Sequence, residues 1–307
     1  MRKWIILAAA TLTFGAAGPA VAANCATVSF SGVTNFPQFD PISGGYTPQT
    51  ITATLTRASG SSAVTARLIL LDGDAGTPIK LAQSGPTYDV TSGGSSILFV
   101  STHSIATNGE GALATFSGSS ATASLSFNIP DSPNTTTDFT GGVGYSEPLK
   151  YSVECYKNTG GSGNGNALAS DNNVSAFTAS VVIMPKVSLT IASPQTINFG
   201  SFTTTTQNLN VGLKSTSSVN VAVSTAKGGQ MVLSGAVSPY PSNSVIPYTM
   251  TLNGVSVANG TNLTNQTRAG VAGTSWPLVL TLTGGLPSGK IAGGYSDTIT
   301  LTLTPGA

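Results

Sequence analysis

The chain has 307 residues, a length that suits two domains of about 150 residues each. Charged residues make up 7% of the sequence, against about 25% in an ordinary soluble domain, and Ser, Thr, Gly and Asn take their place. The formal net charge of +1 excludes electrostatic attraction to nucleic acid or to an anionic membrane as the basis of function.

Residues 1–23 have the pattern of a secretory signal peptide. Arg2 and Lys3 precede an apolar stretch, and a run of small residues at 18–23 follows it. We expect cleavage after Ala22 or Ala23. The alternative, an N-terminal membrane anchor, is disfavoured because the apolar stretch is short and contains Thr and Gly. No later stretch approaches 18 uninterrupted apolar residues, so we expect a soluble mature chain.

Two cysteines, Cys25 and Cys155, remain after the predicted cleavage. A pair of cysteines in an exported protein most often forms a disulfide, so we predict the bridge Cys25–Cys155. The sequence places no third or fourth ligand near them, and we do not expect them to bind a metal.

Short strand-like runs recur along the chain, and clusters of Gly, Pro, Asn and Ser separate them. The clearest runs lie at 49–55, 63–71, 121–127, 177–183, 219–223, 277–282 and 299–303. No segment of a dozen residues beyond the signal peptide shows helical periodicity. The pattern predicts an all-β protein built as sandwiches or barrels.

Residue types that could support catalysis or metal binding occur only in weak contexts. His103, the only histidine, lies in a Ser- and Thr-rich stretch and is typical of a surface or hydrogen-bonded side chain rather than a general base. The sequence Asp-Gly-Asp-Ala-Gly at 72–76 lacks the further carboxylates of a calcium loop, so we interpret it as a hairpin loop. We therefore expect no enzyme activity, no metal and no cofactor.

An internal repeat with an offset of 150 residues predicts two copies of one β fold. Gly-Tyr-Ser-Glu at 144–147 precedes an alternating strand, and Gly-Tyr-Ser-Asp at 294–297 precedes another. A repeat of this length indicates a duplicated domain, which gives a first domain at 24–184 and a second at 185–307. Different topologies in the two halves remain an alternative.

The first copy has one strand more than the second. Its Tyr-led strand is followed by a loop that is flexible by composition, at 158–166, and then by another strand. We expect that extra strand to complete the first domain from within the chain. The residues on its apolar face are Phe177, Ala179, Val181 and Ile183.

The second copy has no strand after its Tyr-led one, so we expect an incomplete sandwich with an open apolar edge. Such an edge accepts a strand from another protein. The residues predicted to form it are Tyr295, Ile299, Leu301 and Leu303.

Three stretches of the second copy resemble the spore coat protein U domain, the pilin module of archaic chaperone-usher pili. They are Phe-Gly-Ser-Phe at 199–202, Trp-Pro at 276–277 and the strand sequence at 292–303. The resemblance covers about residues 187–304 and is weaker over 25–155. It implies an incomplete immunoglobulin-like sandwich that is bound by a periplasmic chaperone, delivered to an outer-membrane usher and completed by the N-terminal donor strand of the next subunit.

One departure from that family concerns the disulfide that its pilin modules usually carry. The second copy has no cysteine, and Ser188 and Pro305 stand at the positions that correspond to Cys25 and Cys155. The resemblance then implies that folding of this domain depends more heavily on the chaperone and the donor strand.

The predicted mature chain starts within two residues of Cys25, which leaves no free donor strand ahead of the first domain. This arrangement resembles the tip subunits of such pili, with a receptor-binding domain followed by a pilin domain. The sequence therefore predicts a non-enzymatic tip adhesin that is exported to the periplasm and then to the cell surface, where it mediates attachment and biofilm formation. An ordinary structural subunit and an unrelated secreted β-sandwich, such as a carbohydrate-binding protein, remain alternatives.

The surface receptor of such an adhesin is not identified by the sequence, which suits a sugar, a protein or an abiotic apolar surface. Two apolar stretches, Pro78-Ile79 and Ile97-Leu98-Phe99, are candidates for contact with it. A core strand explains the second stretch equally well.

Overall fold

The computed structural model describes residues 25–33, 36–73, 79–82, 84–103, 110–130, 137–160 and 167–306, with the backbone alone at 167–172. The predicted signal peptide, most of the loop 72–76 and Pro78 lie outside these residues. Within these ranges the regular structure is β, apart from one short 3-10 helix at Ser242–Ser244, and the predicted all-β class is confirmed. Among the described residues no helix is long and apolar enough to cross a membrane.

The fold divides into two compact units. Unit one takes its described residues from 1–36, 48–128 and 146–179, and unit two from 37–47, 129–145 and 180–307. The boundary predicted between residues 184 and 185 differs from this division, because residues 37–47, 129–145 and 180–184 group with unit two. A first domain of 24–184 therefore stays a prediction.

Unit one is built from two sheets. One has the strand order β1-β2-β8-β4-β5, and the other has the order β10-β9-β3-β6, with β7 also paired to β3. Residues 144–145 at the start of β9 and residues 180–182 at the end of β10 group with unit two. The strands are β1 Ala26–Ser31, β2 Gln49–Arg57, β3 Thr65–Leu71, β4 Asp89–Ser92, β5 Ser95–Ser96, β6 Leu98–Phe99, β7 Ala112–Thr115, β8 Ser120–Asn128, β9 Gly144–Tyr156 and β10 Ala167–Val182.

The core of unit one follows the period of two that the sequence shows. In β2 the side chains of Ile51, Ala53 and Leu55 are fully buried, while the threonines between them are not. The rings of Phe30 on β1 and Tyr151 on β9 lie 5.8 Å apart, so residues of the two sheets meet in this core.

A disulfide joins Cys25, just before β1, to Cys155 on β9. The two Cα atoms are 6.2 Å apart, and the bond closes a loop of sequence separation 130. Because β1 and β9 belong to different sheets, the bond fastens the two sheets of unit one to each other.

The stretch Ile97–Phe99 forms part of the core. Ile97 and Leu98 are buried, and β6 pairs in parallel with β3. The alternative of an apolar contact with a receptor therefore does not apply to Ile97 and Leu98. His103 stacks on the ring of Phe99 at 4.2 Å, and its Nε2 lies 2.8 Å from Oε2 of Glu110, so its side chain is packed and hydrogen-bonded.

Unit two also has two sheets. The larger has the order β11-β12-β18-β15-β14-β19, with β16 paired to β15, and the smaller has the order β17-β13-β20. The strands are β11 Val187–Leu189, β12 Thr206–Ser215, β13 Val219–Thr225, β14 Gln230–Leu233, β15 Val245–Leu252, β16 Val255–Val257, β17 Asn262–Gln266, β18 Gly270–Leu282, β19 Tyr295–Ser296 and β20 Ile299–Pro305.

An apolar core lies between the two sheets of unit two. Val219, Val221 and Val223 enter it from β13 in the smaller sheet, and alternate residues of β12, β15 and β18 enter it from the larger sheet. Trp276 on β18 is buried in this core. It is the only tryptophan other than Trp4 of the predicted signal peptide, so its fluorescence in the mature protein reports on unit two.

The segments 37–47 and 129–145 join the rest of unit two through charged and backbone contacts. Lys186 forms an ion pair with Asp40, and Arg268 donates a 3.0 Å hydrogen bond to Asp138. Burial of the Asp40 carboxyl opposes ionisation, but hydrogen bonds from Lys186 and from the backbone of residues 42 and 43 hold its pKa below the usual value.

Candidate strand-binding groove

The strand β20 lies at the edge of its sheet. It pairs with β13 in antiparallel register from Val219↔Pro305 to Thr225↔Ile299. Within the described part of the chain β13 is its only strand partner. One row of backbone N–H and C=O groups along β20 is therefore available to a further strand.

The corresponding strand of unit one has both edges covered. By the offset of 150 residues, β20 corresponds to β9. One edge of β9 pairs with β3, as one edge of β20 pairs with β13. The other edge of β9 is occupied by β10. The position that β10 fills in unit one is thus open beside β20 in unit two.

An apolar groove of about 620 Å³ runs along the open edge of β20. One wall is formed by residues within 189–199 and the other by residues within 295–301. The core of unit two forms the floor, at Leu209, Val211, Met231, Tyr248, Leu278 and Leu280.

The side chains of β20 alternate between the groove side and solvent. Ile299, Leu301 and Leu303 are half-buried against the core, and the first two line the groove. The threonines at 300, 302 and 304 are exposed. This alternation follows from the period of a strand, and it presents apolar side chains to whatever occupies the groove.

The opposite wall is the segment that follows β11. The backbone N–H of Thr190 donates a 2.9 Å hydrogen bond to the carbonyl of Gly212, which fixes one end of the segment. From there to Phe199 no residue belongs to a strand of the described fold. Ile191 and Ile197 pack against the core, so their side chains hold the wall in place. A strand in the groove would lie between this wall and β20.

The chain changes sheet immediately before β20. β19 pairs with β14 in the larger sheet through Leu233↔Tyr295, whereas β20 pairs with β13 in the smaller one. Tyr295 was predicted on the same edge strand as Ile299, Leu301 and Leu303. The structure places it on β19 in the other sheet, although it still lines the end of the groove.

The carboxylate of Asp297 fixes the corner at which the sheets change. Its Oδ1 accepts hydrogen bonds from the backbone N–H groups of Lys227, at 2.9 Å, and Thr298, at 2.7 Å. Its Oδ2 accepts a 2.7 Å hydrogen bond from the hydroxyl of Tyr248. Burial raises the pKa of the Tyr248 hydroxyl, and the hydrogen bond to the Asp297 carboxylate raises it further.

The four residues predicted on the extra strand of the first copy all lie along or just beyond β10. The ring of Phe177 lies 5.2 Å from the ring of Phe30, and Ala179, Val181 and Ile183 are buried. The strand that contains them occupies the edge beside β9.

The side chains that line the groove are apolar, polar and in three cases ionisable. Apolar side chains of the core form its floor, polar ones such as Gln195 and Asn198 contribute to its walls, and the ionisable side chains among its described lining residues are Asp297, Tyr248 and Tyr295. Elsewhere in the described residues there is no group of three or more His, Cys, Asp or Glu side chains that could hold a metal ion. An elongated apolar ligand that can pair with a strand edge, such as a polypeptide strand, fits this arrangement.

Several groove residues were not singled out from the sequence. The wall at 189–199 contains Pro, Ser and Thr and shows no regular alternation, so its sequence gives no strand signal. The apolar residues Ile191, Ile197 and Phe199 recur in an otherwise polar stretch, and this recurrence could have indicated a segment that packs against the core. Asp297 belongs to the Gly-Tyr-Ser-Asp repeat, but its role at the corner depends on residues distant in the sequence.

Comparison with known proteins gives matches among solved structures alone. No protein-family profile and no curated protein matches the chain. The resemblance to the spore coat protein U domain therefore stays a prediction.

The solved structures that resemble the chain include adhesins of bacterial pili. A complex of the chaperone CsuC with the tip subunit CsuE, from archaic chaperone-usher Csu pili of Acinetobacter baumannii, matches with a TM-score of 0.43 and 11% identity over 91% of this chain and 99% of that chain. The CupB6 tip adhesin from Pseudomonas aeruginosa matches with a TM-score of 0.35 and 12% identity over 91% and 94%. The CfaE adhesin of enterotoxigenic E. coli matches with a TM-score of 0.27 and 15% identity over 91% and 82%.

Proposed function

We propose that this protein is a non-enzymatic adhesin subunit of a chaperone-usher pilus, and that the groove of unit two binds a strand supplied by another protein. The observation that carries the proposal is the open edge of β20 beside an apolar groove of about 620 Å³. In unit one the equivalent edge is covered by β10 from the same chain. A strand from a partner would complete unit two in the way that β10 completes unit one.

Two partners would use the groove in succession. A periplasmic chaperone would cover β20 after export, which keeps the apolar groove from driving aggregation. At the outer-membrane usher, the N-terminal donor strand of the next subunit would replace it. Backbone pairing with β20 would supply affinity, and apolar side chains at alternate positions would set the register.

The position proposed for this subunit is the tip of the pilus. From Cys25 onward the chain is fastened to unit one, by the disulfide to Cys155 and by the pairing of β1 with β2 that begins at Ala26↔Arg57. Those residues are not free to act as a donor strand. Together with the predicted cleavage after Ala22 or Ala23, this favours a subunit that accepts a strand and gives none.

At the tip, the subunit would bind a surface receptor and so mediate attachment and biofilm formation. N-terminal sequencing of the mature protein and immunogold labelling of fibres test this position. A free segment of about ten residues ahead of Cys25, or labelling along the shaft, would instead indicate an ordinary structural subunit.

The groove itself is tested by a pair of variants on β20. Leu301→Asp puts a charge on the groove side, where it has no partner, and Thr302→Asp puts the same charge on the exposed side. Burying an unpaired carboxylate costs several kcal/mol, so we expect Leu301→Asp to lose the chaperone and Thr302→Asp to keep it. The measurement is the yield of the chaperone complex co-purified from periplasm.

Recovery of Leu301→Asp with its chaperone at the yield of the wild type would exclude β20 as the docking edge. Equal loss from both variants would point to a general effect of charge on the sheet. Only selective loss from Leu301→Asp supports the proposal.

A further inference from the structure

Charge is distributed unevenly between the two parts of the mature chain. Residues 24–184 contain 5 basic and 10 acidic side chains, which gives 5 − 10 = −5, whereas residues 185–307 contain 5 basic and 1 acidic, which gives 5 − 1 = +4. The single acidic side chain of the second part is Asp297 at the groove. Unit two as a whole also takes Asp40, Asp131 and Asp138 from 37–47 and 129–145, so it has 5 basic and 4 acidic side chains, 5 − 4 = +1.

Two of the five cations in 185–307 are neutralised by carboxylates of unit two. Lys186 pairs with Asp40, and Arg268 pairs with Asp138. The remaining three, Lys214, Lys227 and Lys290, form no ion pair in the described part of the chain.

Lys227 and Lys290 both contact the short segment 240–242. The Nζ of Lys290 donates a 2.8 Å hydrogen bond to the carbonyl of Ser242, and the Nζ of Lys227 donates a 3.3 Å hydrogen bond to the hydroxyl of Tyr240, two residues earlier. The Lys227 ammonium also lies 5.7 Å from the centre of the Tyr240 ring. We call the region of Lys227, Tyr240 and Lys290, together with the exposed Val237 and Ile291 near them in the sequence, the lysine face.

The lysine face has hydrogen-bond donors that its own contacts do not consume. Because the Tyr240 hydroxyl accepts a bond from Lys227, its own proton is directed elsewhere. Each lysine ammonium carries three protons and uses one of them in these contacts. The face therefore presents several donors and two positive charges to an anionic group.

Two apolar side chains that lie close to these residues in the sequence are exposed. Val237 is 80% exposed and Ile291 is 45% exposed. Apolar contact area beside charged donors suits a protein segment better than a free anion, since a free anion gains nothing from the apolar area.

The lysine face adjoins the end of the groove. Tyr295 and Asp297 line the groove. The hydroxyl of Tyr295 donates to the carbonyl of Ile291 at 2.7 Å, and Asp297 accepts the backbone N–H of Lys227. A strand that fills the groove would bring its flanking residues to this face.

We propose that the lysine face binds a carboxylate-bearing segment that flanks the donor strand of the next subunit. The inference rests on the proposed function of the groove and extends it. Side-chain carboxylates would bind Lys227, Lys290 and the hydroxyl of Tyr240, while neighbouring apolar residues cover Val237 and Ile291. The interaction would raise the affinity of strands with acidic flanks and select the correct partner through charge.

Synthetic strands test the inference on the full mature chain. Three fluorescent peptides share a core of about ten alternating Val and Thr residues. One carries three aspartates at the amino end, one carries them at the carboxyl end, and one carries serines at both ends.

The dissociation constants are measured by fluorescence anisotropy at about 0.05 M and about 0.5 M salt, which differ strongly in screening. The protein variants are Lys227→Gln/Lys290→Gln and, as a control that removes an unpaired lysine elsewhere, Lys214→Gln.

We expect one aspartate peptide to bind about two- to tenfold more tightly than the serine peptide at low salt. This advantage should disappear in Lys227→Gln/Lys290→Gln and at high salt, and it should persist in Lys214→Gln. No advantage for either aspartate peptide, or an advantage that survives in the double variant, would overturn the proposal.

Two further measurements separate the possible failures. If the serine peptide does not bind, or binds Leu301→Asp as well as the wild type, the groove function itself fails and the lysine face loses its basis. If anionic phosphatidylglycerol vesicles bind the wild type but not the double variant, while the three peptides bind alike, the face contacts lipid and the proposal is wrong.

Discussion

The hydroxyl of Tyr248 on β15 donates a 2.7 Å hydrogen bond to Oδ2 of Asp297, at the corner between β19 and β20. Since Oδ1 of the same carboxylate accepts the backbone N–H groups of Lys227 and Thr298, one side chain joins both sheets at the end of the groove. The position of the first residue of β20, and hence of the open edge, depends on these three bonds.

Replacing Asp297 should therefore loosen unit two. Asp297→Ala removes three hydrogen bonds to a charged acceptor on a half-buried side chain, and we expect it to lower the free energy of unfolding by about 1–3 kcal/mol. Asp297→Asn keeps an amide oxygen for the backbone donors and should lose less. Urea unfolding followed by Trp276 fluorescence measures both. An alanine variant within about 0.5 kcal/mol of the wild type would contradict this role.

Unit two should also lose stability at alkaline pH through Tyr248. Its pKa in the folded protein is raised above the unfolded value of about 10. A group whose pKa is raised on folding stabilises the fold fully below the unfolded pKa, and that contribution falls as the pH rises toward the folded pKa. The urea midpoint read by Trp276 should therefore fall above about pH 10.

The variant Tyr248→Phe isolates this contribution. It removes the titrating hydroxyl and the bond to Asp297, so we expect a lower midpoint at pH 7 and a weaker decline above about pH 10. The same steepness of decline in both proteins would assign the alkaline effect to other tyrosines.

Much of the fold was available in the sequence because it depends on local alternation. More buried and more exposed residues alternate along β2, β8, β13 and β20, and each of these strands is present. The disulfide also required no knowledge of the fold, because residues after the predicted cleavage site contain two cysteines only.

The parts that could not be predicted depend on contacts between residues distant in the sequence. The stretch 294–303 appeared to be one Tyr-led strand, as β9 is, but Asp297 turns it from the larger sheet to the smaller one. The bonds responsible come from Tyr248 and Lys227, which no local pattern connects to it. The grouping of 37–47 and 129–145 with unit two also depends on residues distant in the sequence, through the ion pairs of Lys186 and Arg268 and through backbone hydrogen bonds such as that from Gly141 to Thr216.

The disulfide should contribute strongly to the stability of unit one. For a loop of separation 130, the chain-entropy estimate is about 5 kcal/mol, and residual structure in the unfolded chain lowers it. Mass spectrometry of unreduced, alkylated mature protein should show no labelled thiol. The double variant Cys25→Ser/Cys155→Ser should unfold at a markedly lower denaturant concentration. Two labelled thiols in the native protein would exclude the bridge.

The completion of unit one by β10 is tested by charge on its two faces. Ala179 is fully buried, whereas its neighbour Thr178 is exposed. Ala179→Asp places an unpaired charge in the core beside β9, at a cost of several kcal/mol, and Thr178→Asp places the same charge in solvent. We expect the first variant to be insoluble in periplasm and the second to be recovered like the wild type. If both variants accumulate as soluble protein with the same thermal midpoint, β10 does not complete the sheet from within the chain, and unit one would itself need a strand from a partner.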